Sequence, residues 1–166
     1  MAVIVNKKML GAAGILAMAP GLVLAGTAAD TFPVTLTIQG NCSITATAHD
    51  FGLNTGAITA NIDAQSSLDV TCTNGTDYAV GLSTGNGAGA TYAQRRMTNA
   101  ANASTVNYSL YSDAARTVVW DESANEVSGT GTGLAQSITV YGRVPAPQAN
   151  VTVGDYADSV VATVTF

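Results

Sequence analysis

Charge is scarce in this chain: only 10% of its 166 residues are Asp, Glu, Lys or Arg. Lysine is confined to Lys7 and Lys8, histidine occurs once (His49), tryptophan once (Trp120) and cysteine twice. Each shortage excludes something. Beyond residue 29 the chain carries four arginines (Arg95, Arg96, Arg116, Arg143) against eleven acidic residues, a net charge of −7. Such a field repels nucleic acid and anionic membrane surfaces, and the basic footprint of a DNA-binding module is missing. With one histidine, a zinc site needs several carboxylates. No segment sustains a 3.6-residue apolar period, so helix is expected to be minor.

No apolar run is long enough to span a bilayer either. The longest, Met9–Leu24, falls short of ~20 residues and is interrupted by Gly11, Gly14, Pro20 and Gly21. It follows Lys7-Lys8 and precedes the small residues Ala25, Gly26, Ala28 and Ala29. That order is expected of a secretory signal peptide over 1–25, with cleavage as late as 29, and an uncleaved anchor is the alternative. The exported remainder is expected to be soluble, without membrane insertion. An even cysteine pair, Cys42 and Cys72, in an oxidising compartment reads as a disulfide; two reduced, buried thiols are the other reading.

What the chain does have is alternation. Phe32, Val34, Leu36 and Ile38 share one parity, with Thr31, Pro33, Thr35 and Thr37 between them. Cys42, Ile44, Ala46 and Ala48 continue after Gly40-Asn41. Leu68, Val70 and Cys72 form the next set, closed by the turn pair Asn74-Gly75, and Tyr78, Val80 and Leu82 follow. Later come Val106, Tyr108 and Leu110, the short run Val118-Val119-Trp120, then Ile138, Val140, Gly142 and Val144 before Pro145 and Pro147. Tyr156, Val160, Ala162, Val164 and Phe166 close the chain. Gly129–Gly133 is read as a loop. Seven or so short strands predict an antiparallel β-sandwich, immunoglobulin-like in character. The apolar segment Phe32–Ile38 is either an edge strand of its own sandwich or a strand that belongs in the sheet of a neighbouring molecule.

An ordered set of blocks resembles the spore coat protein U family, which includes the pilins of archaic chaperone–usher pathways. The blocks are Phe32-Pro33-Val34-Thr35-Leu36-Thr37-Ile38 leading to Cys42, Asp50-Phe51-Gly52, Leu68-Asp69-Val70-Thr71-Cys72, and Arg95-Arg96-Met97-Thr98-Asn99. They continue with Asn107 to Thr117, Val140-Tyr141-Gly142-Arg143-Val144-Pro145 and Gly154 to Val160. The resemblance implies an incomplete immunoglobulin-like sandwich completed by donor-strand exchange, with a donor extension over 26–40 and a pilin domain over 41–166. It implies that Phe32, Val34, Leu36 and Ile38 are the donor residues, that Cys42 and Cys72 match the family disulfide, and that Val160, Ala162, Val164 and Phe166 line the groove and meet a chaperone. Partners implied are neighbouring subunits, a periplasmic chaperone and an outer-membrane usher. Pro33 departs from the pattern and removes one ladder hydrogen bond.

Nothing else in the residues asks for chemistry. His49 and Asp50 lie beside no nucleophile elbow. Asp121–Glu126 lacks EF-hand spacing, Asp155 and Asp158 read as surface carboxylates, and no Lys follows Gly129–Gly133 as a phosphate cradle requires. Trp120 and Tyr111 read as core or interface. The expectation is a structural pilin subunit that needs no cofactor or metal and is not an enzyme. It would be exported through the periplasm and built into an adhesive, biofilm-associated surface pilus. A non-polymerising secreted coat or matrix protein of the same fold and a glycan-binding tip adhesin are the alternatives.

Overall fold

The computed structural model describes residues 25–166; the expected signal peptide lies almost wholly outside the described residues. The described chain divides after Leu36. Residues 25–36 contain no helix or strand and are exposed. Residues 37–166 hold nine strands and, among the described residues, no helix.

The strands are β1 (Cys42–Ala46), β2 (Ile62–Cys72), β3 (Asp77–Leu82), β4 (Arg95–Asn99), β5 (Thr105–Tyr111), β6 (Val127–Thr130), β7 (Ala135–Val144), β8 (Tyr156–Ala157) and β9 (Ala162–Thr165). Every ladder is antiparallel. One sheet runs β1-β2-β7-β5-β4-β8 and the other β6-β3-β9. Between them lie the inward residues that the alternation selects: Leu68, Val70, Val80, Leu82, Val106, Leu110, Val140 and Val144. This is the all-β, two-layer solution to burying one face of each sheet.

Two polar anchors tie the layers together. Trp120 is fully buried and donates its indole N–H to the carbonyl of Val80 at 2.8 Å. Arg95, on β4, is buried just as completely. Its guanidinium donates to the carbonyls of Leu82, Ser83, Tyr92 and Trp120 at 2.8–3.0 Å. Burial lowers its pKa from the ordinary arginine value. A cation is tolerated there because its donors are matched by main-chain oxygens at the end of β3 and beside Trp120.

Three sequence expectations change. Val127–Thr130 is strand β6, so the loop starts after Thr130. Gly129 is in that strand because Tyr78 lies across it: a Cβ there would come within 2.6 Å of the tyrosine ring. The stretch from Tyr156 to Phe166 is two strands in different sheets, because Asp158 holds the chain between them (below). The segment Phe32–Ile38 joins no ladder among the described residues, and those four apolar side chains are 74–84% exposed.

The Arg95 anchor generates a prediction. Arg95→Leu leaves four carbonyls, two of them in buried bonds, without this donor, and should lower stability by at least about 3 kcal/mol. Urea unfolding measures it; an unchanged midpoint would contradict the assignment.

Candidate functional site

The site is built from two strand edges that approach without pairing. Among the described residues, β1 pairs only with β2, and β9 only with β3. The two strands come into contact across the gap between the sheets but share no ladder. The outer edge of β9 therefore presents main-chain N–H and C=O groups with no strand partner, the exposure that proteins ordinarily cover. Beside it a cavity of about 440 Å3 opens between Ala46 and His49 on one side and Val160 and Ala162 on the other, floored by Leu68, Leu82, Leu110 and Val140.

Of the residues expected to line a groove, Ala162 and Val164 lie on β9 and Val160 just ahead of it. Val160, Ala162 and Val164 are half-buried against the core, while Thr163 and Thr165 point out. Phe166 is exposed beyond β9. On β1, Cys42 and Ile44 are partly buried against the core. Cys42 and Cys72 are joined by a disulfide across directly paired positions of β1 and β2. This bond pins the first residue of β1 to the sheet. The residues just before it are held as well: Thr73 N–H donates to Asn41 O at 2.9 Å, and a Cβ on Gly40 would lie 2.9 Å from Thr76 Oγ1.

Position of β9 depends on a cluster that the sequence did not reveal. Asp158 accepts hydrogen bonds from Tyr108 Oη at 2.6 Å, from Asn86 N–H at 2.7 Å and from Ser159 N–H at 2.8 Å. Tyr108 is buried, and burial with this bond pushes its hydroxyl pKa well above 10, so it remains a donor. Asp158 thus stops the strand after Ala157 and lets the chain cross from one sheet to the other. Ser83 completes the crossing: its N–H donates to Val161 O, and its Oγ accepts from Val161 N–H, both at 2.9 Å.

His49 lines the cleft. Its Nδ1 lies 2.8 Å from Ser66 Oγ and its ring meets Phe51 edge-on at 4.9 Å. Nε2 is buried against Gly142 with no hydrogen-bond partner. Burial chiefly, and Arg116 next, lower its pKa, while Asp50 acts in the opposite sense. The Ser66–His49 pair has no carboxylate on the second ring nitrogen, so the relay of a hydrolytic triad is incomplete.

The remaining candidates are scattered. Asp121 accepts from the N–H groups of Ser123 and Asn125, forming a turn in the Asp121–Glu126 loop. Asp155 and Asp158 do not converge with other ligands, and no group of three or more His, Cys, Asp or Glu suited to an ion occurs among the described residues. Trp120 belongs to the core, and Tyr111 lies on β5.

Comparison with known proteins adds to this geometry. The Spore Coat Protein U domain matches residues 28–163. The chain belongs to that family. A curated relative, Protein U of Myxococcus xanthus, is 37% identical over 169 residues, covering 93% of each chain. Among solved structures, this Spore Coat Protein U domain protein is similar to a chain in the CsuC–CsuE chaperone–tip adhesion subunit pre-assembly complex of archaic chaperone–usher Csu pili from Acinetobacter baumannii. The TM-score is 0.56 at 22% identity, covering 78% of the present chain and 40% of that one. The likeness is one of fold, and the match spans 40% of the other chain's length.

His49 sets a pH dependence. Its pKa is lower in the folded protein than the unfolded value near 6.5, so the unfolded chain binds the proton first. The contribution of neutral His49 is complete above about pH 6.5 and declines as pH falls toward the folded pKa. The carboxylates held low by hydrogen bonds, Asp63, Asp113 and Asp121, act in the more acidic range. Unfolding midpoints at pH 7.5 and 5.5 should fall for the wild type and converge for His49→Gln. An equal slope in both would refute the role given to His49.

Proposed function

We propose that this protein is a pilus structural subunit whose open cleft is filled by the leading segment of another copy. In this reading residues 26–40 are the donor extension and Phe32, Val34, Leu36 and Ile38 enter the cleft. The carrying observation is the pairing of two complementary deficits: an apolar alternating segment with no ladder, and an edge strand beside an apolar cavity.

Dimensions support the match. Phe32 to Ile38 is seven residues, ~20 Å when extended at ~3.3 Å per step, and Val160 to Phe166, which contains the four residues of β9, is an equal length of chain. Four apolar side chains alternate along each. Burying the four donor side chains contributes ~6–12 kcal/mol before ordering costs, to which the ladder along β9 adds. Strand addition to a sheet edge is a general recognition mode, and pilin complementation by a chaperone is one instance of it. The contact is head-to-tail, so it propagates into an open fibre.

Before assembly, the same edge and cavity would invite aggregation. In this reading a periplasmic chaperone covers β9 and an outer-membrane usher exchanges it for the next extension; the likeness to the CsuC–CsuE chaperone–subunit complex supports the chaperone. The product is a surface fibre, adhesive and associated with biofilm, and the protein's role is structural, not enzymatic. Neither cofactor nor metal enters this role.

A second reading has its own support. The family carries a spore coat name and Protein U is 37% identical, which favours a secreted coat or matrix protein that does not polymerise. Deleting residues 30–39 separates the two. The donor reading predicts that SDS-resistant ladders, present in unboiled wild-type samples, disappear in the deletion. Leu36→Asp should weaken them severalfold. Ladders that persist in the deletion would refute the donor role of this segment, and a wild type that is monodisperse without any chaperone would favour the coat reading.

A further inference from the structure

The two ends of the domain carry different exposed apolar features. β2 runs the length of the larger sheet, eleven residues and ~33 Å from Ile62 to Cys72. At the Ile62 end a second cavity of about 710 Å3 opens beside Ile58, Ile62 and Val144, and Leu53 and Val153 stand on its rim, 93% and 97% exposed. At the Cys72 end, Gly133 N–H donates to Cys72 O at 3.0 Å, which sets the next residue, Leu134, at that end, 74% exposed. Asn41 is bonded to Thr73 at the same end, so the chain enters the domain beside Leu134.

Assembly brings these opposite ends together. The following steps rest on the donor reading above. β9 has Ala162 opposite Leu82 and Thr165 opposite Ala79, so it runs from the Ile62 end toward the Cys72 end. A donor paired antiparallel to β9 runs the other way and leaves the cleft at the Ile62 end with Ile38. Antiparallel pairing is the stronger ladder. It also avoids a collision, because a parallel donor would bring its own domain to the end where the acceptor's own extension leaves at Asn41. From Ile38 to Cys42 there are four Cα steps, at most ~14 Å. The Cys72 end of the donor's domain must therefore abut the Ile62 end of the acceptor. The first cavity leads there: both cavities are lined by His49, Phe51, Met97 and Tyr156.

We propose that Leu53, Val153 and the cavity behind them receive the Gly131–Leu134 turn of the next copy, a second contact that fixes how successive domains are oriented. The occupant is a second copy of this chain, selected by the short spacer and by the three exposed apolar side chains it brings face to face. Gly133, at φ +79°, lets the turn present Leu134 outward.

The experiment uses assembled fibres of the full chain carrying Val153→Cys and Leu134→Cys, treated with a short bis-maleimide. Both positions are exposed, so folding is preserved. The contact predicts ladders that survive boiling, while either single variant gives nothing beyond a dimer. Leu134→Asp fibres should in addition show a severalfold shorter persistence length in electron micrographs. Wild-type ladders together with double-cysteine ladders that all collapse to monomer on boiling would overturn the contact and leave the donor reading standing. A wild type that forms no ladders would remove the donor reading and this contact with it.

Discussion

The outer edge of β9 is the constraint from which the rest follows. A strand satisfies half its main-chain groups on each side, and β9 has a partner on one side only. The cavity beside it multiplies the effect, since whatever completes the ladder also removes apolar surface from water. Both terms act on one segment at once. An extended apolar peptide with side chains at every second position is the complementary shape, and the chain carries one ahead of β1.

Much of the molecule serves to hold that edge open. The disulfide and the Asn41–Thr73 bond fix the start of β1, while Asp158 and Ser83 fix the start of β9. Arg95 and Trp120 brace the end of β3, the strand on which β9 lies. A softer sandwich would close the gap by letting β1 and β9 slide together. Buried polar bonds of this kind are costly to break and geometrically particular, which makes them suited to keeping two edges apart.

The sequence was informative where a two-residue period decides the outcome. Leu68, Val70 and Cys72, or Tyr78, Val80 and Leu82, face inward as their parity requires. It was less so where a single side chain overrides the pattern. Arg95 is indistinguishable from a surface cation until its carbonyl partners are assembled from β3 and the Trp120 segment. Gly129 looks like a loop residue, yet Tyr78 demands it within a strand. The break between β8 and β9 depends on Asp158, whose partners Tyr108 and Asn86 are far away in the chain. The segment Phe32–Ile38 has the two-residue period of a strand yet joins no ladder among the described residues, and local pattern carries no information on which edge would receive it. Leu53, Val153 and Leu134 belong to no alternating set of the sequence, and only the fold assigns them to opposite ends.

Amide hydrogen exchange, resolved along the chain in fibres and in unassembled subunit, tests the completion of β9 most directly. The account predicts that slow exchange appears on assembly at Val34–Ile38 and at the outward-facing amides of Ala162–Thr165 together. Pro33 reports nothing, having no amide. An extension that exchanges as fast in the fibre as in the free subunit, while β9 is equally protected in both, would contradict it.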